Sequence, residues 1–212
     1  MRTIHILLTI LLATLHAAGS LAAPSRTFIE SKTETAELRY IGDIPIAILT
    51  GTPEQIGRQH ADLLAANSGA IMKMPRRYAA EFGVEALWPF IVQAGRTLVS
   101  QAPERHQQEL AAIANRAQFG EEEMVVANTL LELRRVGCST LIVEPSQSAD
   151  GAPIFGRNFD FLTLGELHKH SIVLIYRPQG LHAFASIAFP GMVGVFSGMN
   201  DAGLAVATLD VE

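Results

Sequence analysis

Cys138 is the one cysteine in the 212 residues, so its thiol has no partner in its own chain and is either an inert buried group or a chemical one. Its setting, Val136-Gly137-Cys138-Ser139-Thr140, favours chemistry. A small, flexible residue precedes it, two hydroxyls follow, and Leu141-Ile142-Val143 reads as a buried strand. A nucleophile at the head of a strand is held rigidly while its backbone nitrogen stays accessible. Arg157 and Asp160 lie three apart in Phe155-Gly156-Arg157-Asn158-Phe159-Asp160-Phe161. On an extended segment with a local kink both would point towards Cys138 from an adjacent strand; otherwise they form a surface ion pair on a hairpin, worth little. Asn158, between them, shapes a turn or joins the site. Asn200 opens Asn200-Asp201-Ala202-Gly203, a hairpin-turn sequence.

The histidines offer weaker signals. His168 and His170 are two apart, which on a strand puts them on one face as a metal pair, but no third ligand stands at a telling spacing, and exposed histidines at a strand entrance are the plainer reading. His60 and His106 fall on helical segments, and Cys138 lacks the surrounding signature of a papain-like Cys–His pair. Phe155, Phe159, Phe161 and Phe189 are expected in the core more than in the lining of a substrate pocket.

The elements that must position these groups change period along the chain. Thr52-Pro53-Glu54-Gln55 is a capping box, with Thr52 as N-cap, Pro53 at N1 and Gln55 at N3; Ile56, Leu63 and Leu64 then share a helical face. A second helix opens near Pro103-Glu104 and buries Leu110, Ile113, Ala114 and Ala117. A third starts at Glu121-Glu122-Glu123, where acidic residues suit the positive end of the helix dipole, and carries Met124, Ala127 and Leu131. The stretch from Met72 to Leu98 is expected to be helical as well, interrupted by Pro75, Gly83 and Pro89. After Cys138 the pattern is that of short strands joined by tight turns: Leu141 to Val143, Ile154-Phe155, Ile172 to Tyr176, Phe184 to Phe189, Met192 to Met199, and Leu204 to Val211. These read as antiparallel hairpins. The last strand runs to the end of the chain with no helix following, so the sheet is expected to be incomplete at its C-terminal end.

Met1-Arg2 and the apolar run from Ile4 to Leu15 read as a secretory leader, with small residues at Ser20-Leu21-Ala22 marking cleavage after Ala22. The run is too short for an ordinary membrane span. The chain is thus expected to be secreted or periplasmic, in an oxidising compartment where an unpaired thiol is worth flagging as reactive or intermolecular. A net charge of −5 and the lack of a polybasic patch argue against nucleic acid and anionic lipid as partners. Oligomeric state leaves no mark in the sequence.

Taken together, Gly137-Cys138-Ser139-Thr140, the Phe155 to Phe161 run and Gly198-Met199-Asn200-Asp201-Ala202-Gly203-Leu204 resemble the N-terminal-nucleophile (Ntn) hydrolases of the choloylglycine hydrolase type. The resemblance is nearest to the peptidase C45 and acyl-coenzyme A:6-aminopenicillanic acid acyltransferase group. Gly51-Thr52-Pro53-Glu54-Gln55-Ile56-Gly57-Arg58-Gln59-His60 is similar to that group's propeptide. The resemblance implies an α+β fold, the four-layer αββα sandwich, with residues 1–22 as signal peptide, 23–137 as helical prosegment and 138–212 as the first part of the catalytic domain.

It also implies autocatalytic cleavage of the Gly137–Cys138 bond. Cys138 then carries both a thiol and an α-amine, and a free α-amine with a pKa of about 7.7–8.0 serves as the base near neutral pH. By the same resemblance Arg157 contacts the thiol, Asp160 orients the α-amine, and Asn200 supplies a donor to the oxyanion. The expected activity is hydrolysis of a linear amide C–N bond, or transfer of its acyl group, on a small-molecule substrate, with no cofactor or metal. The alternative is a truncated, catalytically inactive relative or a non-enzymatic binding module.

Overall fold

The computed structural model of the chain describes residues 26–133 and 137–209. The expected leader and the end of the last expected strand lie outside the described residues. The elements run in the order β1 (Ser31–Lys32), β2 (Glu37–Ile41), β3 (Ile44–Gly51), α1 (Pro53–Met72), α2 (Met74–Glu81), α3 (Trp88–Gln101), α4 (Glu104–Ala117), α5 (Glu121–Leu133), β4 (Gly137–Val143), β5 (Ile154–Asp160), β6 (Ile172–Pro178), β7 (Phe184–Ala188), β8 (Ser197–Asn200) and β9 (Ala205–Ala207). Seven strands form one mixed sheet in the order β1-β2-β3-β6-β7-β8-β9, and β4 pairs with β5 in a separate hairpin. The fold is α+β, with helices and a mixed sheet.

The helices start where the sequence says they should. Thr52 caps α1 through a complete capping box, its hydroxyl accepting from the Gln55 N–H while the Gln55 side chain accepts from the Thr52 N–H. Pro75 and Pro89 fall in the first turns of α2 and α3, where no backbone donor is needed. Gly83, at φ +66°, follows the end of α2. The acidic start of α5 does more than face the helix dipole. Glu121 pairs with Arg96, while Glu122 and Glu123 share Arg76, and the Trp88 indole N–H donates to Glu122. These contacts tie α2, α3 and α5 together.

Residues 31–51 correct the expected boundaries of the helical prosegment, because they are strands. Leu38 with Ala47 and Leu49 turn inward, and Gly42, at φ +61°, supplies the left-handed conformation for the tight β2–β3 turn. Among the described residues, the α-helices lie within 53–133. β3 then pairs in parallel with β6, Ile46 opposite Val173 through Gly51 opposite Pro178, while the strands after Cys138 pair antiparallel with one another as expected. A parallel neighbour needs a long crossover, and the five helices with the β4–β5 hairpin provide it. Residues 192–196, expected to begin a strand, form a loop leading into β8.

One face of the main sheet is covered by helix. Leu38, Ala47, Leu49, Ile172, Leu174 and Tyr176 pack against Ile56, Leu63 and Leu64 of α1. A second core joins α1, α2, α4 and α5 through Ile71, Met72, Met74, Tyr78, Leu110, Ile113 and Met124. The α1–α4 crossing is close because Gly57 lies against the Glu109 carbonyl and Ala112; a Cβ there would come within 2.5 Å of that oxygen. On the opposite sheet face Val173 and Ile187 are cross-strand partners, with Ile187 exposed. Among the described residues, no helix is long and apolar enough to cross a membrane.

Candidate functional site

Cys138 sits second in β4, and the hairpin register decides what faces it. Cys138 pairs with Phe159, Thr140 with Arg157, Gly137 with Asp160, and Ser139 with Asn158. Because side chains alternate along a strand, Cys138, Phe159 and Arg157 share one face, while Asp160 and Asn158 take the other. The thiol is half-buried. Arg157 reaches diagonally over the Phe159 ring, its guanidinium carbon 4.5 Å from the ring centroid, and its Nη2 lies 3.2 Å from the Cys138 sulfur.

The same guanidinium ties the hairpin to the main sheet. Nη1 donates to the Ser197 hydroxyl in a short hydrogen bond, and Nη2 also donates to the Thr208 carbonyl at 2.8 Å. Arg157 is therefore fixed by a ring, a hydroxyl and a carbonyl while one edge remains on the sulfur. A delocalised cation with several N–H groups can do this; an ammonium cannot. Such a charge-assisted donor suits the negative charge a nucleophilic sulfur carries.

Asp160 lies directly across from Gly137, the residue expected to leave when the chain is cut. Its Oδ1 accepts from the Asn158 amide at 2.8 Å, so Asn158 orients the carboxylate instead of facing the sulfur. The three-residue spacing of Arg157 and Asp160 thus places them on opposite faces of one regular strand, without the kink the sequence suggested. One group stands at the thiol and the other beside the position where a new α-amine would appear.

Asn200 is not brought to Cys138. It ends β8 opposite Phe184, and its side-chain oxygen accepts from the Ala202 and Leu204 N–H groups at 3.1 and 2.9 Å, closing the β8–β9 turn. The register Ser186–Gly198 and Phe184–Asn200, with Ser186 buried and Tyr176 paired to Phe184, puts Asn200 on the helix-facing side of the sheet. By alternation Ser197, the partner of Arg157, takes the other side.

Phe159 stacks on Phe161 and Phe196. These rings, with Ile71, Met74, Tyr78, Phe189 and Met192, line an apolar cavity of about 50 Å³. Tyr78 anchors the end of β5 by donating to the Leu162 carbonyl, and burial pushes its hydroxyl up to about 12. Phe155, in contrast, is exposed.

The histidines stand apart from this site. His168 and His170 are on a short turn at Leu167–His170, with His168 exposed and His170 buried edge-on to Phe28. Among the described residues, no three metal-ligating side chains cluster. His60 is buried in α1, where its Nε2 accepts from the Gly191 N–H at 2.8 Å and burial lowers its pKa to about 4. Ser197, Thr208 and Asn158 are the supporting groups that sequence reasoning missed or underrated; only Asn158, two residues from Asp160, had a local signal.

Comparison with known proteins finds a family similarity in the second half of the chain. The sequence model of the family described as acyl-coenzyme A:6-aminopenicillanic acid acyl-transferase matches residues 146–210, a stretch that includes Arg157, Asp160, Ser197 and Asn200 but not Cys138. An uncharacterized protein of Archaeoglobus fulgidus is 23% identical over 187 residues, covering 74% of this chain and 31% of that protein. The chain therefore spans about a third of the length of this curated relative. The similarity to that family is confined to this stretch, and the mixed α+β architecture is compatible with an Ntn-like fold.

Proposed function

We propose that this chain is an exported cysteine Ntn enzyme that cuts its own Gly137–Cys138 bond and then hydrolyses, or transfers the acyl group of, a linear amide. The observation that carries this reading is the Arg157 Nη2 to Cys138 Sγ distance of 3.2 Å combined with Asp160 across from Gly137. Cleavage would convert the Cys138 backbone nitrogen into an α-amine beside a carboxylate. That amine takes the thiol proton, the sulfur attacks the substrate carbonyl, and the C–N bond breaks as the ammonium returns the proton to the leaving nitrogen. Water or an amine then attacks the thioester, regenerating the thiol and releasing the acyl product. Arg157 stays on the sulfur throughout, and Asp160, held by Asn158, orients the amine.

The oxyanion role of Asn200 rests on the sequence resemblance. Its oxygen is committed to the β8–β9 turn on the helix-facing side of the sheet, so a donor role at the cysteine would require that turn to rearrange. The apolar rings behind Phe159 are the nearest lining for an acyl chain on this reading, and the four-layer sandwich is its expected architecture.

Mass spectrometry of the full chain tests the proposal. Two pieces with a new N-terminal Cys138 are expected from the parent and one uncut piece from Cys138→Ala; N-terminal sequencing of the first piece also reads where the leader ends. A parent that remains intact and shows no amidase activity would instead favour a non-enzymatic binding module, and amidase activity that survives alkylation of Cys138 would mean that another residue is the nucleophile.

A further inference from the structure

The contact between Arg157 and the Cys138 sulfur depends on how the guanidinium is turned, and the main sheet sets that turn. The Phe159 ring lies under the cation, 4.5 Å from centroid to guanidinium carbon. A stacked ring fixes the plane of a guanidinium but leaves it free to rotate within that plane. Two oxygens stop the rotation. Nη1 donates to the Ser197 hydroxyl, and Nη2 donates to the Thr208 carbonyl at 2.8 Å. With both bonds made, Nη2 also meets the sulfur at 3.2 Å.

The two acceptors are held in register by the backbone. Ser197 opens β8 opposite Ala207 of β9, and next to that pair the Thr208 N–H donates to the Phe196 carbonyl at 2.9 Å. The spacing of hydroxyl and carbonyl is therefore set by strand pairing in the main sheet, outside the hairpin that carries the cysteine. Ser197 is also buried, at 9% exposed, so water competes little for its hydroxyl.

We propose that Ser197 is a positioning residue for Cys138, acting through Arg157: by accepting from Nη1, its hydroxyl fixes the rotation that keeps Nη2 on the sulfur. The inference rests on the cysteine reading above and adds to it a residue of the main sheet. Without the hydroxyl the cation keeps its ring and the Thr208 carbonyl, pivots about that carbonyl, and carries Nη2 off the sulfur. A neutral acceptor suits the task. It orients the cation while leaving the positive charge for the sulfur, whereas a carboxylate in its place would form an ion pair of its own.

Alkylation by iodoacetamide tests this on the full chain. Cys138 is the one cysteine, so the adduct reports on this thiol alone, and mass spectrometry separates cut from uncut chain so that a rate is read for each. Ser197→Ala should slow alkylation at pH 7 by about threefold to tenfold, and Ser197→Thr, which restores a hydroxyl, should return it to within about twofold of the parent. In an Arg157→Met background Ser197→Ala should have no further effect, because the route through the guanidinium is already gone. Where Ser197→Ala unfolds, Ser197→Val against Ser197→Thr repeats the comparison between side chains of like shape with and without the hydroxyl. Alkylation indifferent to loss of the hydroxyl, or slowed equally in the Arg157→Met background, would overturn the proposal. A parent that yields no new N-terminus at Cys138 would sink the cleavage reading, and the alkylation rates would still decide the role of Ser197.

Discussion

Arg157 shows how much one side chain carries. It contacts sulfur, hydroxyl, carbonyl and ring together, an arrangement that needs a flat cation with several donors. Arg157→Lys keeps the charge but cannot reach all four partners, so turnover of an amide substrate should fall by about tenfold to a hundredfold, with circular dichroism unchanged. A loss below about twofold would remove Arg157 from the proposed chemistry. Asp160→Asn tests the other face: it retains an oxygen for Asn158 and loses the charge, and should slow the appearance of a Cys138 N-terminus without lowering the melting temperature. Cys138, Arg157 and Asp160 were singled out by resemblance; spacing suggested that both Arg157 and Asp160 face the cysteine, whereas in the hairpin Arg157 is at the thiol and Asp160 takes the other face. Ser197 and Thr208 were not legible, since they reach Arg157 across 40 and 51 residues and no spacing rule covers that distance.

Among the elements, α1 offers a test of which local effect wins. Gly57→Ala and Gly69→Ala both improve helix propensity by about 1 kcal/mol. At position 57 the new methyl meets the Glu109 carbonyl at 2.5 Å and Ala112 at 2.7 Å, whereas at 69 nothing lies within 4 Å. Overpacking of this kind costs about 1–3 kcal/mol. Gly57→Ala should therefore lower the urea midpoint and Gly69→Ala raise it, measured in the uncut Cys138→Ala background so that one unfolding equilibrium is read. The helix boundaries were legible because caps and prolines act locally. The strands at 31–51 were missed although Gly42 marks the β2–β3 turn; the pairing of β3 with β6, more than a hundred residues on, leaves no local signal.

For the whole molecule, two buried groups give opposing pH dependences. Glu109 has a folded pKa raised from 4.5 to about 7 by burial, so the unfolded chain gives up its proton first and stability falls as pH rises from about 4.5 to 7. His60 is lowered from 6.5 to about 4 by burial, so its contribution is full above 6.5 and is lost as pH falls towards 4. Between about 4.5 and 6.5 the two slopes nearly cancel. Relative to the parent, Glu109→Gln should gain stability progressively from pH 4.5 to 7 and then level off, by an amount on the order of 3 kcal/mol. Arg105, which lowers the Glu109 carboxyl, and Tyr176, which faces it, remain in the variant. Melting temperatures of both proteins across that range check the sign; a constant difference would mean that Glu109 is not the titrating group.

The parallel pairing of β3 with β6 has a consequence for the state in which the protein would be found. A cut after Gly137 separates the polypeptide that carries β1–β3 and all five helices from the one that carries β4–β9. Yet β3 is hydrogen-bonded along Ile46 to Gly51 with the later strand, and α1 is packed over both. The earlier piece is therefore no detachable leader: it supplies three of the seven strands of the sheet and the helix packed over it. The product of cleavage would be an obligate heterodimer made from a single gene product, its two subunits co-eluting until the sheet itself is denatured.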